Sequence, residues 1–152
     1  MSVLIKDSVL KQLLFGRTVT KATGTLTAAD KDLFTVAGGR CVITSISGLV
    51  TVAVTAANAY KLKHNPTTGA VDADLCATLD IGTTDTPAGN LLALTGVPSA
   101  AMIRAADLQV MMTNYITVRN GAIEQQSAGT DGEITWTLTY VAGETGASIV
   151  AA

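Results

Sequence analysis

Charged side chains are scarce in this chain. Asp, Glu, Lys and Arg make up 14 % of its 152 residues, whereas an ordinary soluble domain carries about 25 %. The net charge is −2, which gives no electrostatic reason to expect nucleic acid as a partner. Since a free monomer normally stays soluble through a charged surface, the shortage predicts that part of the surface is covered by other protein.

Residues able to carry catalysis are also scarce. The only histidine, His64, lies beside a turn that contains Pro and Gly, and we expect it to be a solvated residue at a strand end. The serine-hydrolase motif G-x-S-x-G and the phosphate loop G-x-x-x-x-G-K-[ST] are both absent. The chain is therefore predicted to be no enzyme and to need no cofactor.

Aspartates in the middle of the chain are the candidates for holding a metal ion. Their spacing does not match a calcium-binding loop, which also needs a central glycine and a final glutamate. We predict solvated carboxylates and no metal site, with a structural cation as the alternative. The residues concerned are Asp72, Asp74, Asp80 and Asp85.

Cysteines and long apolar runs are few as well. Cys41 and Cys76 lie in strand-like runs, which predicts two small buried hydrophobic residues, with a disulfide between them as the alternative. No run approaches the ~18 consecutive apolar residues of a membrane span, so no membrane is predicted as a partner. No basic residues precede the apolar residues of the N-terminal segment, and Lys6, Asp7 and Lys11 interrupt its apolar run, so we do not expect a signal peptide.

Threonine and β-branched residues are plentiful, and they alternate with larger apolar residues. In GEITWTLTYV, residues 132–141, Ile134 and Trp136 share one side of a strand while Thr135 and Thr137 share the other, because side chains in a strand alternate with period two. One side is suited to a core. The other is hydroxylated and almost uncharged.

Strand and turn signals predict an all-β fold, an antiparallel β-sandwich, for residues 17–152 as a single domain. Gly48, between two β-branched runs, predicts a bend or hairpin, and Asn120-Gly121 predicts a second hairpin. Period-two spacing predicts the core residues Val52, Val54, Leu79, Ile81, Ile116, Val118, Ile134, Trp136, Leu138 and Tyr140.

Residues 1–16 form a separate segment, predicted to be an N-terminal arm or a short helix. Leu10, Leu13 and Leu14 have helical spacing, and Gly16 is placed to end a helix. The segment is more apolar than a free terminus can remain in water, so we predict that it binds a partner, with packing on its own sandwich as the alternative. The candidate partner-binding residues are Val3, Leu4, Ile5, Val9, Leu10, Leu13, Leu14 and Phe15.

The C-terminal third resembles a family of small virion proteins of tailed bacteriophages, those that decorate or cement the capsid. The resemblance rests on a strand leading to a G-x-I turn, a D-G turn before an I-x-W-x-L-x-Y strand, and a closing G-A-x-I strand. The upstream run LCATLDIGTTDTPAGNLLALTG, residues 75–96, is also similar. The matching residues are Val118, Gly121, Ile123, Gly132, Ile134, Trp136, Leu138, Tyr140, Gly146, Ala147 and Ile149.

The resemblance implies a jelly-roll-like sandwich that assembles as a homotrimer and sits on the capsid surface. Its partners would be the major capsid protein and further copies of itself, and it would be made in the host cytoplasm and located in the virion. An N-terminal arm often makes the capsid contacts in that family.

A second function remains open, a receptor-binding or glycan-binding sandwich in a head fibre or tail. Sugar sites use exposed aromatic faces, and Tyr60 and Tyr115 are the candidates for one concave patch. Trp136 is in phase with Ile134 and Leu138, so we expect it in the core instead.

Overall fold

The computed structural model describes residues 7–69, 71–106 and 112–152. Within these residues one helix precedes twelve strands. The helix α1 spans Asp7–Phe15. The strands are β1 Arg17–Thr25, β2 Asp30–Ala37, β3 Cys41–Val52, β4 Ala59–Pro66, β5 Ala73–Asp74, β6 Leu79–Asp80, β7 Asn90–Ala93, β8 Ile103–Ala106, β9 Ile116–Val118, β10 Gly121–Ser127, β11 Glu133–Ala142 and β12 Ser148–Ala151.

The strands form two antiparallel sheets. Sheet A has the order β1-β11-β3-β7-β8, with β9 also paired to β3, and sheet B has the order β12-β2-β10-β4-β5, with β6 also paired to β4. Every ladder between these strands is antiparallel. The predicted class, an all-β antiparallel sandwich, is confirmed.

The core lies between the sheets and is centred on the only tryptophan. The Trp136 ring from β11 stacks on the Tyr60 ring from β4, with centroids 6.2 Å apart and planes 6° apart. Trp136 Nε1 donates to the Tyr60 hydroxyl at 3.0 Å, and that hydroxyl donates to Gln125 Oε1 at 2.9 Å. This chain of contacts joins the two sheets.

Most of the predicted core is buried in the structure. Leu79 and Ile116 are partly buried against it. The prediction for Val52 is wrong, since its side chain is 52 % exposed. Val52 lies opposite Glu133 at the end of β3, beyond a shift in the register between β3 and β11. The confirmed residues are Val54, Ile81, Val118, Ile134, Trp136, Leu138 and Tyr140.

Both predicted hairpins are wrong. Gly48 lies inside the continuous strand β3, where a Cβ atom would meet Ile134 Cγ2 at 2.8 Å and the Trp136 ring at 3.1 Å. The glycine thus makes room for the tryptophan and does not bend the chain. Asn120-Gly121 joins β9 of sheet A to β10 of sheet B, so it crosses between sheets.

The N-terminal segment contains a helix, one of the two predicted forms. Gly16 ends α1 with φ +85°, and its N–H donates to the Gln12 carbonyl at 3.1 Å, as a glycine does at a helix C-terminus. A Cβ on Gly16 would lie 2.6 Å from the Tyr140 carbonyl oxygen. The chain therefore passes closely over β11 before β1 begins.

Candidate assembly surface

The outward side of sheet A carries hydroxyl and small apolar side chains across five strands. The burial of β11 alternates residue by residue, so its threonines all point away from the core. The ladder registers place the outward residues of β1, β3, β7 and β8 beside them. We call this surface the threonine face: Thr18, Thr20, Ala22, Ser45, Ser47, Leu49, Leu91, Ile103, Ala105, Thr135, Thr137 and Thr139.

No residue of the threonine face is charged. The charged residue of β11 is Glu133, at the start of the strand and the far end of the face. Pairs of hydroxyls bridge the two neighbouring strands, with Oγ1 atoms 3.2 Å apart for Thr18 and Thr139 and 3.4 Å apart for Thr20 and Thr137. Because a hydroxyl has one donor and two acceptor positions, each pair keeps capacity to bond a partner.

An apolar groove of about 520 Å³ lies at the other end of the threonine face. Its most exposed apolar members are Leu14, Phe15 and Tyr115, which are 66 %, 71 % and 69 % exposed. The helix α1 supplies one wall. The groove is lined by Leu14, Phe15, Thr18, Thr44, Ser45, Met112, Tyr115, Thr139 and Val141.

Sheet B has the opposite character, since its outward side holds a network of ion pairs. Lys63 Nζ lies 2.8 Å from Asp30 Oδ2, 2.7 Å from Asp72 Oδ2 and 3.0 Å from Glu124 Oε2. Hydrogen bonds to Asp30 and then Asp72 raise the pKa of Lys63, and the Lys63 hydrogen bond lowers the pKa of Asp30. Burial, and then the charge of Glu124, raises the pKa of the nearby Asp32. Sheet B thus carries a cluster of paired charges that the threonine face lacks.

The predicted partner-binding residues are only partly within the described chain. Val3, Leu4 and Ile5 lie outside the described residues, as does the side chain of Leu13. The other four side chains are exposed on α1: Val9, Leu10, Leu14 and Phe15.

The aromatic patch expected for a sugar site does not form from its two candidates. Tyr60 is fully buried beneath Trp136, so that prediction is wrong, while Tyr115 is exposed in the apolar groove. Sequence reasoning missed Met112 and Val141 as groove residues, because strand alternation alone does not show that distant segments meet beside α1.

The remaining candidates for chemistry are structural in the described chain. His64 is buried on the inner side of β4, with Nε2 2.9 Å from the Arg119 carbonyl oxygen, so the solvated placement is wrong. Cys41 and Cys76 are buried and free, as predicted, and there is no disulfide. Burial raises the pKa of both thiols, which keeps them in the unreactive protonated form.

Arg40, His64 and Arg119 border a small pocket of about 220 Å³. Arg40 Nε is bonded to Glu144 Oε1 at 2.5 Å. Residues 7–69, 71–106 and 112–152 contain no group of three or more His, Cys, Asp or Glu side chains placed to hold a metal ion. Among the same residues, no helix has the length and apolar character needed to cross a membrane.

Comparison with known proteins yields no relative: no protein-family model, no curated protein and no solved structure matches this chain. The surface chemistry of the molecule is therefore the basis for inferring its function. The resemblance to capsid decoration proteins stays a prediction.

Proposed function

We propose that this protein is a non-enzymatic structural protein of a virion, which decorates or cements a phage capsid by binding the major capsid protein through the threonine face. The observation that carries the proposal is the uneven distribution of charge. Lys63 lies outward on sheet B among its acidic partners, while the threonine face of sheet A has no charged side chain and Glu133 points outward only at the end of β11.

An uncharged hydroxylated face suits a protein partner. Covering a charge costs several kcal/mol when it is left unpaired, and the cores of protein interfaces are depleted in charged residues. Threonine loses little side-chain freedom on binding, since its branched Cβ already restricts χ1. The face can therefore be covered at low cost.

The size of the face favours an oligomer. Five strands at about 4.8 Å and about five residues at 3.3 Å give roughly 400 Å², less than the ~800 Å² per partner of a standard interface. One copy would bind weakly. Three copies in a homotrimer would present the contact three times, and such linkage raises affinity by roughly 10²–10⁴. A trimer with a jelly-roll-like arrangement on the capsid surface is thus part of the proposal.

Capsid binding by matched threonine variants tests the proposal. Capsids would be prepared from the phage that encodes this chain after deletion of its gene, and bound protein measured by cosedimentation. Thr137→Lys places a charge at the centre of the threonine face. Thr35→Lys places the same charge on the outward side of sheet B, where Thr35 is exposed between Ala122 and Val150.

We expect Thr137→Lys to weaken binding at least tenfold and Thr35→Lys to bind as the unchanged protein does. Equal binding by all three proteins would show that the threonine face is not the contact. An unchanged protein that fails to bind capsids would refute the capsid role itself.

The exposed Tyr115 beside Phe15 favours a second candidate, a glycan-binding virion module. A glycan array with the recombinant protein separates the two functions. Sugar binding that is lost in Tyr115→Ala would favour this candidate over the capsid role.

A further inference from the structure

The pocket of about 220 Å³ lies between the two sheets, where the chain crosses from β9 to β10. Arg40 and Arg119 line it, and they are two of the four arginines in the chain. The apolar part of its lining is Pro66, Val71, Ala73 and Val118. The pocket thus combines two cationic side chains with an apolar wall.

The two arginines of the pocket lie opposite each other. β9 pairs with β3 so that Val118 faces Cys41, and continuing this register by one residue places Arg119 opposite Arg40. Like charges directly opposite each other on paired strands are destabilising. An anion bound between the two guanidinium groups would remove that cost.

One of these two charges is already paired with a carboxylate. Arg40 Nε bonds to Glu144 Oε1 at 2.5 Å. The exposed guanidinium of Arg119 makes no hydrogen bond or ion pair with any other described residue. Arg119 is therefore the charge in the pocket that is left for a ligand.

Hydrogen bonds fix the main chain that carries both arginines. His64 is buried and donates from Nε2 to the Arg119 carbonyl oxygen at 2.9 Å. The Gly39 N–H donates to Asn120 Oδ1 at 2.8 Å. This second bond joins the chain just before Arg40 to the chain just after Arg119. The main chain on both sides of the pair is thus held in place before a ligand arrives, which reduces the ordering cost of binding.

We propose that this pocket binds a carboxylate carried on a short apolar stem, with Arg119 as its main partner and Arg40 as the second. The planar fork of a guanidinium matches the two oxygens of a carboxylate, and the apolar wall would cover the stem. Phosphate fits less well, because some of its oxygens would face the apolar wall without a hydrogen-bond donor. The pocket shares no residue with the threonine face, so the site is independent of the proposed function.

Proton NMR of the imidazole ring tests the site, because His64 is the only histidine and lines the pocket. Butyrate would replace chloride stepwise in a solution of the full chain at constant pH and ionic strength. We expect a saturable shift of the His64 ring signals and none of the indole signals of Trp136, which is buried outside the pocket. Phosphate should bind at least tenfold more weakly, and equal affinity for phosphate would overturn the assignment of a carboxylate.

Two matched variants, Arg119→Gln and Arg17→Gln, remove the same charge from different places. Arg17 is exposed like Arg119 but does not line the pocket. Since a hydrogen bond to a charged group contributes about 1.5–3 kcal/mol, we expect the Kd for butyrate to rise at least tenfold in Arg119→Gln and to stay within twofold in Arg17→Gln. Equal affinities in the two variants, or no saturable shift in the unchanged protein, would overturn the inference.

Glu144→Gln tests the part of the second arginine. It removes the carboxylate that competes for Arg40, so we expect butyrate to bind at least threefold more tightly. Unchanged or weaker binding would overturn the assignment of Arg40.

The source of the carboxylate is distinguished by repeating the titration with N-acetyl-glutamate amide. A shift of the His64 signals comparable to that with butyrate would assign the site to an acidic side chain of another protein. A response to butyrate alone would assign it to a free organic acid.

Discussion

Tyr60→Phe removes one oxygen atom from the centre of the sandwich and should destabilise the protein markedly. The Tyr60 hydroxyl accepts from Trp136 Nε1 at 3.0 Å and donates to Gln125 Oε1 at 2.9 Å. Both partners are fully buried, so neither can turn to water when the hydroxyl is lost. Gln125 Nε2 already has no hydrogen-bond partner among the described residues, so the amide has nothing to gain by reorienting.

The magnitude follows from leaving two buried polar groups unpaired. Each costs about 1–3 kcal/mol, and since both losses come from one hydroxyl we expect about 2–4 kcal/mol in the free energy of unfolding. At roughly 2–4 °C per kcal/mol for a chain of this size, the melting temperature should fall by about 4–16 °C.

Urea denaturation followed by fluorescence measures this change. The chain has one tryptophan, Trp136, so the signal comes from the site being altered. Circular dichroism would follow the same transition with a second probe. The control is Tyr140→Phe, because Tyr140 is buried but makes no side-chain hydrogen bond within the described residues. If Tyr60→Phe lowers the free energy of unfolding by less than about 0.5 kcal/mol, or by the same amount as Tyr140→Phe, the reasoning is refuted.

Two further changes test the packing and the ion pairs. Gly48→Ala should lower the free energy of unfolding by about 1–3 kcal/mol, because the new Cβ would lie 2.8 Å from Ile134 Cγ2 and 3.1 Å from the Trp136 ring. If urea denaturation shows no loss of stability, the ring moves aside freely and the reasoning is wrong. Lys63 lowers the pKa of Asp30, so this pair stabilises the fold above the ordinary pKa of an aspartate, and the contribution is lost as pH falls through the lowered folded value. Thermal melts between about pH 2 and 7 should therefore show a shallower acid loss in Lys63→Met, and parallel curves for the two proteins would contradict this role of the pair.

The β11 part of the threonine face was predictable from sequence because its signal is local. The side of β11 that is buried can be predicted from this strand alone, because Ile134 and Trp136 alternate with Thr135 and Thr137. The same reasoning failed at Val52, because a register shift between strands is a property of a pair and leaves no mark in either sequence alone.

The glycine and histidine errors have a different physical origin. Gly48 was interpreted through backbone freedom, whereas its role is to leave space under a ring from another strand. His64 was placed in water because its neighbours along the chain are turn residues, but the connection at Arg119 covers it. In both cases a residue distant in sequence decides the environment.

The apolar groove could not be predicted for the same reason. Its walls come from Phe15, Tyr115 and Val141, which meet only because α1 runs directly into β1 beside the end of β11. The sequence showed that the N-terminal segment is too apolar to stand alone. It did not show which residues of the sandwich lie beside that segment.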